Sequence, residues 1–242
     1  MTSVGVFDGV HLGHQSILEA NVARAEALGA EPTVVTFAEH PKAVLLGRAP
    51  RTLTTLEHKL ALLWRAGIRH VVVLTFDEEL RNTTAEAFSE RILERGLSTR
   101  AFVLGFDSKF GKDRAGGPES LKARGHGVEI APKVMVGQRA VSSTVIRESV
   151  ELGDLAGASR MLGRPVTIYG EVVPGEALGC HRGSKASYLI FSYDPCERFG
   201  VSRGSHELPG HPASASPSAP REHDGSSRGL PGVSGGHQVQ LA

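Results

Sequence analysis

The stretch GVFDGVHLGH, residues 5–14, sets the architecture of this 242-residue chain. An apolar run, VGVF at 4–7, leads into it, and Ile17, Leu18, Val22, Ala25 and Leu28 recur behind it at helical spacing. A strand, a glycine-rich turn and a helix are thereby expected in that order. In an open parallel sheet the ligand crevice lies beyond the carboxyl ends of the strands, which is where this turn falls. The first-turn amides of a helix are unpaired and its N-terminal end carries partial positive charge, so phosphate binds well there. His11 and His14, at i and i+3, can add donors to that site, and Gly13 leaves room for a phosphate to approach the backbone. The chemistry this suits is attack on a nucleoside triphosphate. A metal-binding reading of the two histidines lacks an identifiable third ligand.

The same alternation continues outward. Further β-branched runs stand at TVVTF (33–37), HVVVLTF (70–76), AFVLG (101–105) and VEIAPKV (128–134), separated by helix-periodic segments. Capping-box spacings, Thr54 to Glu57 and Thr83 to Glu86, predict the starts of two of those helices. Two more are expected at SSTVIRESVELG (142–153) and from Asp154, the latter closed by Gly163 and Pro165. The sum is an α/β domain with a doubly wound parallel sheet over residues 1–163. VTIYGEVVPG, at 166–175, alternates like one strand, so 164–179 reads as a truncated β segment. Residues 180–242 lose the strand–helix alternation and, from about Gly204, are dominated by Ser, Gly, Pro and His. They are expected to be disordered.

A second motif pairs with the first. In VSSTVIRES, Ser142 and Ser143 are candidate N-caps whose hydroxyls and neighbouring amides could meet an anion. Arg147 is then a cation in the first turns of a helix, where the dipole disfavours it, and it needs an anion nearby. Composition narrows the ligand class. A net charge of +1 offers no bulk electrostatic case for nucleic acid or membrane. Cys180 and Cys196 have no metal-ligand spacing, no apolar run approaches the roughly 18 residues of a membrane span, and MTSVGVFDG has no secretory pattern. The expectation is a soluble cytoplasmic protein acting on small charged molecules.

Five motifs in order carry a resemblance: GVFDGVHLGH, TFAEHPKAVL (36–45), LTTLEHKLALL (53–63), GFDSKFG (105–111) and SSTVIR (142–147). Together they resemble the adenylyltransferase module of prokaryotic-type FAD synthetases, which belong to the HxGH nucleotidylyltransferases and have a Rossmann-like fold. The resemblance implies transfer of AMP from ATP to FMN, giving FAD and pyrophosphate, with Mg²⁺ accompanying ATP. It implies that His11, His14 and Arg147 are catalytic, and that Gly5, Phe7, Gly9, Gly13, Ser142, Ser143 and Thr144 hold ATP. Flavin would fall to His40, Pro41, Asp107 and Phe110. No resident metal site is implied. The alternatives are another HxGH nucleotidylyltransferase and a non-catalytic flavin- or nucleotide-binding remnant.

In such synthetases a riboflavin kinase barrel usually follows on the same chain. LGRPVTIYGEVVPGEALG, at 162–179, resembles the opening of that barrel, but nothing after Cys180 contains its PTAN-type motif, so riboflavin kinase activity is expected to be absent.

Overall fold

The computed structural model of the chain describes residues 1–170 and the strand at 237–240. Its centre is a five-stranded sheet built from β1 (Thr2–Val4), β2 (Thr33–Phe37), β3 (His70–Leu74), β4 (Ala101–Gly105) and β5 (Gly127–Ala131). Every pairing is parallel, and the order is β3-β2-β1-β4-β5. Strand order therefore reverses direction at β1, between β2 and β4. That is a topological switch point, the place where such sheets open a crevice.

Helices separate the strands: α1 (Leu12–Ala27), α2 (Lys42–Leu46), α3 (Leu56–Arg65), α4 (Glu78–Asn82), α5 (Ala85–Phe88) and α6 (Pro118–Ala123). After β5 come a small antiparallel hairpin, β6 (Met135–Val136) with β7 (Arg139–Ala140), then α7 (Ser143–Glu151) and α8 (Leu155–Leu162). β8 (Thr167–Gly170) pairs with β9 (His237–Gln240). The expectations for 180–242, and for 171–179, otherwise lie outside the described residues.

Successive residues of a strand point to opposite faces, so the adjacent Val34 and Val35 mark two cores. Val34 joins Phe7, Val10, Leu18, Leu62, Leu63 and Ile68 on the face of α1 and α3. Val35 joins Phe88, Leu93, Phe102, Leu104, Phe110 and Leu121 on the other face. Ile146, Ala158, Met161 and Leu162 pack α7 onto α8 as a third cluster. Covering both faces of a parallel sheet is what its continuous apolar strands require.

Three local expectations are corrected. The first strand ends at Val4 instead of running through Phe7, because Phe7 (φ 52°), Gly9 (φ 82°) and Val10 (φ 37°) are left-handed and turn the chain. Thr55, not Thr54, caps α3 by accepting from the His58 amide at 3.2 Å; the Thr54 hydroxyl is taken by Asp8 and the Gly9 amide. Likewise Thr84 caps α5, while the Thr83 hydroxyl donates back to the Glu79 carbonyl of α4. The predicted helix after Thr84 continues as a π-helical stretch, Ser89–Gly96.

Asn21 ties α1 to the sheet. Fully buried, it donates to Ser3 Oγ at 2.8 Å and to the Thr33 carbonyl at 3.2 Å, linking the helix to β1 and β2. Asn21→Ala is expected to lower the unfolding free energy by about 1–3 kcal/mol, because two buried hydrogen bonds between helix and sheet are lost. Urea denaturation checks this, and an unchanged midpoint would contradict the assignment.

A candidate nucleotide cleft at the strand ends

A cleft of ≈ 1090 Å³ opens where all five strands end, lined by residues following β1 (Gly5–Asp8), β2 (His40, Pro41), β3 (Phe76), β4 (Phe106–Arg114) and β5 (Pro132–Val134). Two helix beginnings face it: His11, Gly13 and His14 at α1, and Ser142, Ser143 and Thr144 at α7. They are neighbours across the cleft floor, since Ser143 Oγ donates to the Asp8 carbonyl at 2.9 Å. Ser142 accepts from the Val145 amide as the N-cap of α7.

Asp8 joins the pieces. Its buried carboxylate accepts from the Leu53 amide at 2.9 Å, the Thr54 amide at 3.1 Å, the Thr54 hydroxyl at 3.2 Å and Arg147 Nη2 at 3.0 Å. This is the anion that Arg147 needs early in α7. One guanidinium nitrogen is thereby fixed, while the buried Nε has no partner among the described residues.

The two histidines form a stacked pair with ring centroids 3.6 Å apart and planes 15° from parallel. His11 caps α1 by accepting at Nδ1 from the His14 amide at 3.3 Å. A ring that accepts at Nδ1 carries its proton on Nε2, so His11 is a neutral donor. Burial agrees, holding His11 at about 4. The His14 ring is likewise held well below the usual imidazole value, chiefly by burial and also by the nearby Lys59 ammonium. A Cβ on Gly13 would stand 3.3 Å from the His11 ring, so the glycine keeps that ring uncrowded.

Thirteen of the fourteen expected site residues line this one cleft: Gly5, Phe7, His11, Gly13, His14, His40, Pro41, Asp107, Phe110, Ser142, Ser143, Thr144 and Arg147. Gly9 does not. Its amide donates to Thr54, its carbonyl accepts from Arg164, and an added Cβ would meet Leu53 at 2.7 Å, so it is a packing glycine behind the wall. Phe7 is 1% exposed and forms floor beneath His14. Phe110 is also core, its ring centroid 5.5 Å from that of Phe88, which leaves little of its face for a ligand. The exposed cleft aromatic is Phe106, with Lys133 Nζ 5.7 Å from its centroid.

Sequence reasoning missed Asp8, Phe106, Lys59 and Arg164. Lys59 was detectable as a cation placed one turn before Leu62 and Leu63 on the apolar stripe of α3. Its buried amine donates to the Phe37 carbonyl at 2.7 Å and the Val6 carbonyl at 3.3 Å, and burial lowers its pKa to about 8. Among the described residues no group of three or more His, Cys, Asp or Glu could hold a metal ion, and no helix is long and apolar enough to cross a membrane.

Comparison with known proteins places these features. The FAD synthetase family profile matches residues 1–145. A bifunctional riboflavin kinase/FMN adenylyltransferase from Pseudomonas fluorescens is 35% identical over 188 residues, 76% of this chain and 60% of the relative. One of the same name from Haemophilus influenzae is 35% identical over 73% of this chain and 59% of its own length. The chain thus spans about three-fifths of these curated relatives. A relative from Geobacillus thermodenitrificans, 36% identical, is covered over 91% of its length. A solved structure described as a macrolide-efflux protein from Streptococcus pneumoniae is 28% identical, with a TM-score of 0.65 over 73% of this chain and 60% of that one.

The neutral histidines carry a pH signature. Free imidazoles take up protons below about 6.5. In the folded chain burial holds His11 and His58 at about 4, and it holds His14 well below the usual imidazole value too. Protons therefore bind the unfolded state preferentially, and stability is expected to fall as pH drops from about 6.5 towards about 4. Urea midpoints between pH 6.5 and 5 check this; a midpoint that stays level or rises on acidification would contradict buried neutral rings.

Proposed function

Because the chain belongs to the FAD synthetase family, we propose that it transfers AMP from ATP to FMN, releasing FAD and pyrophosphate. The observation that carries this reading is the pair of helix beginnings, α1 and α7, facing one cleft and tied together through Asp8 and Ser143.

ATP would enter as its Mg²⁺ complex, the ion offsetting part of the triphosphate charge. The free amides of the two first turns meet those oxygens with no reorganisation at the moment of reaction. His11 and His14 act as neutral hydrogen-bond donors near the α-phosphate, where negative charge accumulates as the FMN phosphate attacks. Ser142, Ser143, Thr144 and Arg147 hold the departing pyrophosphate. Arg147 is aimed by its bond to Asp8, which leaves the Nε edge for a phosphate oxygen.

The FMN phosphate is already largely ionised at neutral pH, its second pKa being about 6. No strong base is needed, and positioning plus charge stabilisation suffice. This accounts for a site rich in donors whose histidines are too weakly basic to serve as general bases. The flavin ring lies towards His40, Pro41 and Asp107, and the exposed Phe106, in place of the buried Phe110, stacks on its face. The reaction belongs in the cytoplasm, where FMN is supplied as a substrate.

Incubation with ATP, Mg²⁺ and FMN is expected to yield FAD and pyrophosphate. His14→Ala should lower the rate by about 10²–10³-fold, as loss of a charge-stabilising donor does. Arg147→Lys, which keeps a cation beside Asp8 but loses the fork, should lower it by at least about 10-fold. Wild-type rates in both variants would remove these residues from the reaction, and pyrophosphate release with an acceptor other than FMN would redirect the reading to a sister transferase.

A further inference from the structure

The family profile ends at residue 145, yet the loop carrying His11 is held from beyond that point. Directly after α8, Gly163 adopts a left-handed φ of 70° and packs so closely on α1 that an added Cβ would stand 2.6 Å from Leu12 Cδ2. Arg164 then extends its guanidinium behind the cleft wall. Nη2 donates to the Gly9 carbonyl at 2.7 Å, and Nη1 donates to the Val10 carbonyl at 3.1 Å and to the Leu162 carbonyl at 3.4 Å. Gln15 Nε2 donates to the same Val10 and Leu162 carbonyls, both at 2.8 Å.

A guanidinium in this setting is costly. It is removed from much of its water, and its hydrogen bonds among the described residues all go to backbone carbonyls. What it gains is control of a backbone that no ladder holds. Phe7, Gly9 and Val10 are all left-handed, and Val10 is β-branched, so this turn persists only if its neighbours fix it. The next residue is His11, whose ring must cap α1 at Nδ1 for its Nε2 edge to serve the cleft. Downstream, Thr167 Oγ1 lies 3.5 Å from His58 Nε2, and Tyr169 stacks on the His58 ring with centroids 5.4 Å apart, so the segment carrying Arg164 is itself anchored on α3.

We propose that Arg164 is a positioning residue for adenylyl transfer: its fork fixes the Gly9 and Val10 carbonyls and so sets the orientation of His11. It rests on the reading of His11 as a phosphate donor. Arg164 does not line the cleft and touches no substrate; it acts through the loop. The functional module accordingly extends past Gly163, through residues that resemble the start of a following barrel.

The test uses the full chain with Arg164→Ala and Arg164→Lys. Arg164→Ala is expected to lower kcat for FAD formation roughly 10- to 100-fold, as small misplacements of a catalytic group do, with KM for ATP and FMN near wild type. Arg164→Lys should recover part of that loss. Leu93→Ala, in the opposite core, serves as a control that lowers Tm while leaving kcat per folded molecule unchanged. Hydrogen exchange of the amides at 8–14 should accelerate in Arg164→Ala and not in Leu93→Ala. If Arg164→Ala lowers Tm alone, keeping wild-type kcat and loop exchange, the proposal is overturned while the function stands. If the wild type forms no FAD, the functional reading falls, and exchange still decides whether Arg164 holds the loop. Should Arg164→Ala fail to fold, Arg164→Lys decides in its place: a several-fold lower kcat at unchanged KM supports the role, and wild-type kcat overturns it.

Discussion

The buried carboxylate of Asp8 is the contact on which the cleft depends. It sits in the turn after β1 and gathers the Leu53–Thr54 loop through two amides and a hydroxyl, and α7 through Arg147. These segments are far apart in sequence, and no sheet pairing holds them together. A carboxylate accepting several bonds satisfies its lone pairs without water, so one buried charge replaces what would otherwise be several unsatisfied donors. Breaking such a pair from one side costs about 3–5 kcal/mol, because the remaining charge stays buried. Asp8 thereby ties the turn that leads into α1 to the first turns of α7 at one cleft.

The chemistry follows from how dry that site is. Both imidazoles are stacked and neutral, so they contribute oriented N–H dipoles and not charge. The guanidinium of Arg147 is paired with the Asp8 carboxylate at 3.0 Å. In the proposed reaction a triphosphate would meet these directional donors, and their strongest interactions would be kept for the charge that builds during transfer.

Much of this was legible in the residues. The β-branched runs placed β2 and β4 to the residue, and the Ser142, Asp154 and Gly163 signals marked the helix ends that the structure shows. Misplacements occur where a competing contact outweighs the local pattern. Thr54 has the right spacing to cap α3, but Asp8 claims its hydroxyl, and the cap moves to Thr55. VGVF alternates like a strand, but Phe7 is needed as floor beneath His14, and a positive φ turns it there. Asp8 and Phe106 were missed because sequence spacing says which types stand near a turn, not which of them is buried. Phe106 and Phe110 look equivalent in GFDSKFG, yet one is 55% and the other 8% exposed.

Lys59 has a consequence for how the cleft can adapt. Its single ammonium is bonded both to Val6, in the loop after β1, and to Phe37, which leads towards His40 and Pro41. The two segments cannot part by more than one amine can bridge without stripping a buried charge of its acceptors. That side of the cavity therefore behaves as a fixed jaw. The opposite side, from Phe106 to Gly117, has exposed cations and left-handed backbone at Gly111, Asp113 and Arg114, and among the described residues no such buried amine bridges it to the loop after β1.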